Sequence, residues 1–287
     1  MDIKLGVSTW LWTSPFTTES VSLFPKIRAM GYEAVEIPLE YPELIDGNQV
    51  RAALDAAGLI PVSCGAFGPS RDLTHDDASV HAVCFDYLRR CFELSNVIGA
   101  TFVAGPMYSA VGKVRMLPAE QRKVEWDRAV ANLQRVCRMA ADHGMFIALE
   151  PLNRFESDLV NTAEDVVRLV SDIDHPAARI MLDSFHMSLE ERNPEEAIVL
   201  AGDKLMHVQV SENYRGVPGT GQTPWPLIRR GLQRINYQGI VSIESFTPEV
   251  KELAGAVCIW KHLAPSQDGF ASDGYKFLHQ LFQESSQ

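Results

Sequence analysis

Short apolar runs alternate with longer amphipathic stretches along the whole chain. Eight runs stand out: KLGVST (4–9), EAVEIP (33–38), IPVSCG (60–65), TFVAGP (101–106), MFIALEP (145–151), RIMLDS (179–184), LMHVQVS (205–211) and IVSIES (240–245). Runs of this length read as buried strands. The stretches at 19–30, 50–57, 77–98, 125–143, 163–173, 194–201, 226–235 and 249–260 carry a helical pattern. Gly31, Gly58, Gly99 and Gly144 stand just past four of them, where a left-handed cap favours glycine. Strands alternating with helices predict a parallel sheet with right-handed crossovers. Eight such units in 287 residues predict an α/β fold of the closed (β/α)8 TIM barrel type. An open doubly wound sheet is the rival, but no GxGxxG follows the first strand. No linker interrupts the pattern, so residues 1–287 read as a single domain. The tail at 268–287 reads as a last helix packed on the outside.

The polar residues inside these runs carry the chemistry. In HVQVSENYRG, strand alternation puts His207, Gln209 and Ser211 on one face and Val208 and Val210 on the other. The fifth run ends at Glu150, the sixth reaches Asp183 and the eighth reaches Glu244, with Gln209 at the corresponding place in the seventh. They are spaced by about one barrel unit each, and strand carboxyl ends converge on one mouth in this fold. One carboxylate at a strand end is as often a helix N-cap or a loop ion pair. Three crowded together repel one another unless a cation sits among them. Oxygen donors of this kind suit Mn²⁺ or Mg²⁺.

Other polar and aromatic residues lie close in sequence. His186 follows Asp183 by one helical turn, and a substrate contact is the reading favoured over a satisfied core histidine. Glu156 and Arg215 fall on the loops after the fifth and seventh strands. Arg215 reads either as a surface residue or as a partner for a substrate oxygen. Cys64 sits at a strand end. Trp10, Trp12, Phe67 and Tyr108 either wall a pocket or fill the core. Gly216, Gly219 and Gly221 mark a flexible loop rather than a phosphate cradle.

Composition narrows the partners. A net charge of -11 with no basic run disfavours nucleic acid and anionic membranes. The amino-terminal stretch lacks a signal-peptide layout and no stretch reaches the length of a membrane span. Five cysteines without a CxxC point to reduced thiols and a cytoplasmic setting. Cys84, Cys91, Cys137 and Cys258 fall in helical patterns and read as small core residues.

ALEPLNRFES, MLDSFHMSLEE, HVQVSENYRG and IESF, in this order, together with GPMYSAVGK at 105–113, resemble the D-tagatose 3-epimerase family. That group includes the D-psicose and L-ribulose 3-epimerases and belongs to the xylose-isomerase-like barrels. The resemblance implies a divalent metal, usually Mn²⁺ or Co²⁺, held at Glu150, Asp183, position 209 and Glu244. It implies that Glu150 and Glu244 are also the acid–base pair, and that Glu156, His186 and Arg215 hold sugar oxygens. Cys64 and Tyr108 complete the candidate substrate contacts. The chain departs from the family where the metal histidine is replaced by Gln209, and Ser8 stands where several relatives carry an aromatic. The implied partner is a small sugar, and the implied assembly a homodimer or homotetramer.

The expected reaction is proton exchange at the carbon next to a ketone. One carboxylate removes the proton, a planar enediolate results, and the other returns a proton to the opposite face. Aldose–ketose isomerisation and β-elimination from a keto-sugar would use the same enediolate or enolate logic. An apurinic endonuclease of the same superfold would need more strand-end histidines and a basic surface. A non-catalytic sugar-binding barrel is kept open by Gln209.

Overall fold

The eight runs form eight parallel strands, and the last closes onto the first. They are β1 (Lys4–Ser8), β2 (Ala34–Pro38), β3 (Ile60–Cys64), β4 (Phe102–Gly105), β5 (Phe146–Leu149), β6 (Ala178–Asp183), β7 (Leu205–Val210) and β8 (Ile240–Ile243). Each pairs with its sequence neighbours, and β8 pairs with β1 through Lys4↔Ile240 to Val7↔Ile243. The structure is a computed structural model and describes residues 2–283. The expected closed barrel is therefore present as one ring of strands.

Alternation along the strands makes two different interiors. Val35 and Ile37 on β2, Ile147 and Leu149 on β5, and Val208 and Val210 on β7 join the large apolar layer between barrel and helices. Burying each such side chain contributes roughly 1.5–3 kcal/mol, so this layer carries most of the hydrophobic stabilisation. The intervening Val62, Phe102, Ala104, Ala148 and Met181 form a small separate cluster in the lumen. The rest of the lumen is polar, with Glu36, His207, Gln209 and Ser242 all fully buried.

Outside lie α1 (Phe24–Ala29), α2 (Gly47–Ala57), α3 (Ala78–Ile98), α4 (Ala119–Asp142), α5 (Ala163–Ile173), α6 (Ser184–Glu190), α7 (Pro194–Ala201), α8 (Trp225–Arg234), α9 (Lys251–Ala256) and α10 (Gln267–Gln283). Asp46, Asp77, Thr162 and Asn193 cap their helices by accepting from backbone N–H groups, each cap contributing about 1 kcal/mol. Gly58 and Gly99 end α2 and α3 in the left-handed conformation, as the sequence predicts.

The differences have local causes. The stretch at 19–30 is a 3-10 segment (Thr18–Leu23) followed by a short α1, because Pro25 lacks an N–H and suits only a first turn. Helix α4 begins six residues before the expected 125, through a polar turn that carries no apolar period. The expected helix at 249–260 shortens to α9 and breaks at Cys258, which adopts φ +57°. Cys258 is consequently exposed, so the reading of it as a core residue is corrected; Cys64, Cys84, Cys91 and Cys137 are buried, and all five are free thiols. Helix α10 packs on the barrel, where Tyr32 Oη donates to Ala271 O at 2.8 Å. The last four residues of the expected tail helix lie outside the described residues. No helix among the described residues is long and apolar enough to cross a membrane.

Candidate active site

Three buried carboxylates meet at the carboxyl ends of the strands. Glu150 follows the last residue of β5, Asp183 ends β6 and Glu244 follows the last residue of β8. Arg215, on the loop after β7, reaches into this group. Its Nη1 donates to Asp183 Oδ2 and lies 2.8 Å from Glu244 Oε2. Asp183 divides its oxygens between two tasks. Oδ1 accepts from Phe185 N at 2.8 Å and caps α6, while Oδ2 takes the guanidinium. The N-cap alternative therefore holds for this residue, and its second oxygen is left to face the mouth.

The loop that presents Arg215 is organised by Glu212. Its carboxylate accepts from Gly219 N at 2.6 Å, Thr223 N at 3.0 Å and Trp225 Nε1 at 2.8 Å. A side chain at Gly221 would run into Glu212 Oε2, 2.6 Å from an added Cβ. Arg215 itself adopts φ +63°, and its carbonyl accepts from Ser245 Oγ at 2.7 Å. The guanidinium lies over the Phe185 ring, 4.1 Å from its centroid, and 5.3 Å from that of Phe246.

His186 is buried beside Glu150. Its Nδ1 accepts from Asn153 N at 3.1 Å and Asn153 Nδ2 at 2.9 Å, and its Nε2 lies 3.5 Å from Glu150 Oε1. Asn153 Nδ2 also donates to Glu156 Oε1 at 2.7 Å, which ties Glu156 to the same group. Burial depresses the imidazole below its usual value against the pull of Asp183. Donors face both ring nitrogens, the Asn153 N–H groups at Nδ1 and Arg215 Nη2 3.4 Å from Nε2.

Crowding shifts the carboxyls apart. Burial, and after it the charges of Glu244 and Asp183, push Glu150 well above the usual carboxylate range. Burial likewise pushes Glu244 well up, with Arg215 opposing and Asp183 and Glu36 adding to it. Burial works upward on Asp183 too, but Arg215, His186 and the Phe185 N–H bring it below its usual value. Burial first, then Glu36, Glu244 and Glu150, hold the Cys64 thiol neutral. Tyr108 is fully buried and its hydroxyl donates to Val160 O at 3.2 Å.

Gln209 takes a different place from the carboxylates. It pairs in register with Asp183 and with Ser242, so Glu244 stands two residues further along β8. Its Nε2 donates to Glu36 Oε1 at 2.7 Å inside the lumen, and its Oε1 is buried without a partner among the described residues. His207 shares the same inward face, with Nε2 2.8 Å from Glu36 Oε2. Of the aromatics, Trp10 packs on Phe246 with centroids 5.6 Å apart, in a cluster with Cys64. Trp12 turns away to Asp268, and Phe67 packs edge-on to Tyr87.

Glu150, Asp183 and His186 each offer one potential ligand atom, all within 4.8 Å of one another. The donor set fits a divalent cation on a second count as well. A buried carbonyl oxygen without a donor, on the strand next to Asp183, is an acceptor waiting for positive charge. Sequence reasoning missed Glu36, Asn153, Phe185, Glu212 and Phe246. A glutamate in the middle of EAVEIP, on the inward register of an apolar strand, was the available signal for Glu36.

The chain matches the family model described as xylose isomerase-like TIM barrel over residues 24–266. It is 31% identical over 281 residues to a probable ketose 3-epimerase of Synechocystis sp., covering 98% of this chain and 97% of that protein. It is 29% identical over 254 residues to the L-ribulose 3-epimerase of a Methylomonas species, covering 88% of each. The crystal structure of a D-allulose 3-epimerase from Methylomonas sp. in complex with D-allulose superposes with a TM-score of 0.91 at 26% identity, covering 97% of both chains. The chain belongs to the xylose isomerase-like TIM barrels, in the branch that contains the ketose 3-epimerases. The resemblance read from its motifs is borne out.

Proposed function

We propose that the protein is a ketose 3-epimerase that inverts the carbon next to a sugar ketone, with Glu150 and Glu244 as the acid–base pair. The observation that carries this reading is the convergence of Asp183 and Glu244 on a single guanidinium at the barrel mouth, with Glu150 buried beside them against His186. The names of the relatives, ketose and L-ribulose 3-epimerases, support the substrate class.

A divalent cation held by Glu150, Asp183, Gln209 and Glu244, Mn²⁺ before Mg²⁺ or Co²⁺ because the donors are oxygens, would supply Lewis-acid stabilisation of charge developing on the ketone oxygen. His186, whose Nε2 also faces the Arg215 guanidinium at 3.4 Å, would contact a sugar oxygen rather than the cation. Glu156, linked through Asn153, and Arg215 serve the same purpose.

Proton transfer belongs to the two glutamates. One takes the proton from C3 and leaves a planar enediolate. The other, on the strand across the mouth, delivers a proton to the opposite face, and the centre is inverted. Burial pushes both carboxyls upward, the direction in which a carboxyl becomes a better proton acceptor. Phe185, Phe246 and Trp10 provide an apolar wall that excludes water from the enediolate. A homodimer or homotetramer is supported by apolar side chains left open on the loops after β4 and β5, Met116 at 99% and Phe155 at 72% exposure. Free thiols suit a cytoplasmic setting.

Incubating Mn²⁺-loaded protein with a panel of ketoses in D₂O tests the reaction. Deuterium at C3 together with the C3 epimer is the expected result. Deuterium appearing at C1 with an aldose product, or no exchange with any ketose, overturns it.

A further inference from the structure

A second polar cluster lies in the lumen, and the proton transfers above leave it without a task. Glu36 on β2 is fully buried, and its two oxygens face two side chains of β7. Gln209 Nε2 lies 2.7 Å from Oε1 and His207 Nε2 lies 2.8 Å from Oε2. A primary amide has one donor end and one acceptor end, and a carboxylate takes only the donor end. Glu36 therefore decides how the Gln209 amide is turned, with nitrogen toward β2 and oxygen away from it. The oxygen so released is the buried, unpartnered Oε1. Leaving such an acceptor unfilled costs stability, so a chain that builds one has something to fill it.

Gln209 pairs with Asp183, and its β8 partner Ser242 is two residues before Glu244. The free oxygen thus belongs to the strands that carry the carboxylates. We propose that Glu36 is a positioning residue: by holding Nε2 of Gln209 it presents Oε1 as a neutral oxygen donor to the cation of the carboxylate site. This rests on the cation site of the function proposed above.

Glutamine needs such a hold more than a rigid ring does. Its side chain has three rotatable bonds, and an amide turned the wrong way would present N–H groups to a cation. His207 completes the arrangement by engaging Oε2, which keeps Glu36 facing β7 rather than joining the acids at the mouth. The rival occupant for Gln209 Oε1 is the hydroxyl of Ser242, whose Oγ is also buried without a partner.

The test is Mn²⁺ titrated into metal-free protein, with free Mn²⁺ followed by its paramagnetic resonance signal and no substrate present. Four proteins are compared: wild type, Glu36→Gln, Gln209→Leu and the double variant. An amide at 36 offers one acceptor oxygen in place of two, for which Gln209 Nε2 and the His207 ring then compete. Glu36→Gln is expected to weaken Mn²⁺ about 10- to 100-fold, the usual range for residues that orient a ligand. Because Glu36 acts through Gln209, the double variant is expected to bind no more weakly than Gln209→Leu alone. Unchanged affinity in Glu36→Gln, or losses that simply multiply in the double variant, overturns the proposal in favour of a merely structural Glu36 or of Ser242 as the partner. If Glu36→Gln does not fold by circular dichroism, Glu36→Asp, one methylene shorter, is read in the same way. A wild type that takes up no Mn²⁺ removes the cation site and the function proposed from it. A wild type that binds Mn²⁺ while both folded Glu36 variants bind it equally well removes only this inference.

Discussion

The barrel holds two buried acidic groups, one at its mouth and one in its lumen, and they are built on opposite principles. At the mouth, Asp183 and Glu244 share one positive charge, Arg215, and Glu150 lies beside them against His186. In the lumen, Glu36 stands alone between two side chains of β7, Gln209 and His207. Both groups are out of water, so burial does not distinguish them. Charge balance does. Two of the mouth carboxyls are driven well above their usual range. An acid whose charge is poorly compensated is ready to move a proton or to take a cation, whereas one satisfied by hydrogen bonds holds a neighbour in place.

The mouth is where the comparison breaks most sharply. Glu150→Gln and Glu244→Gln keep shape and volume but remove the proton acceptor. Each is expected to keep the fold and to lose C3 exchange by at least the roughly 10²–10⁴-fold that acid–base catalysis supplies. Near-normal exchange in either variant, measured by deuterium wash-in, removes that residue from the pair.

Arg215 sharpens the same contrast from the other side. Arg215→Ala leaves Asp183 and Glu244 without their guanidinium, next to a third buried acid, Glu150. Breaking a buried pair by removing one partner costs about 3–5 kcal/mol, and a loss of that order is expected in the thermal unfolding of metal-free protein. Saturating Mn²⁺ is expected to restore much of it, since the cation supplies the missing charge. An equal loss with and without Mn²⁺ would show that Arg215 supports its loop, not the charge balance of the mouth.

How much of this was legible in the chain follows from range. The strands, their order and the closed barrel are written in local patterns, and Glu150, Asp183 and Glu244 stood out because strand ends recur at barrel spacing. Short elements were lost where the pattern is brief or a proline intervenes, as with the seven residues of α6 and the start of α1. Glu36 was illegible for a different reason. Its partners His207 and Gln209 are 171 and 173 residues away, and only the closed lumen brings them together. The hold of Asn153 on His186 likewise joins the loop after β5 to α6, 33 residues apart. Gln209 was noticed as a polar residue facing inward, but its two ends, one occupied and one free, appear only in three dimensions.

That divided amide gives the smallest and most selective effect. Gln209→His puts an imidazole in place of the amide, beside the Glu36 carboxylate that now holds Nε2. One ring nitrogen can donate to Glu36, and the other is then left without a hydrogen and free to bind a cation. Nitrogen donors favour the later transition metals, while Mg²⁺ gains little from imidazole. The variant is therefore expected to tighten Co²⁺ and Zn²⁺ clearly and to leave Mg²⁺ nearly unchanged, with little change in melting temperature because the hydrogen bond to Glu36 is kept. Titration of each metal into metal-free protein decides it. Equal changes for all three metals, or none, would mean that position 209 does not touch the cation, and the mouth and lumen clusters would then be neighbours without a link.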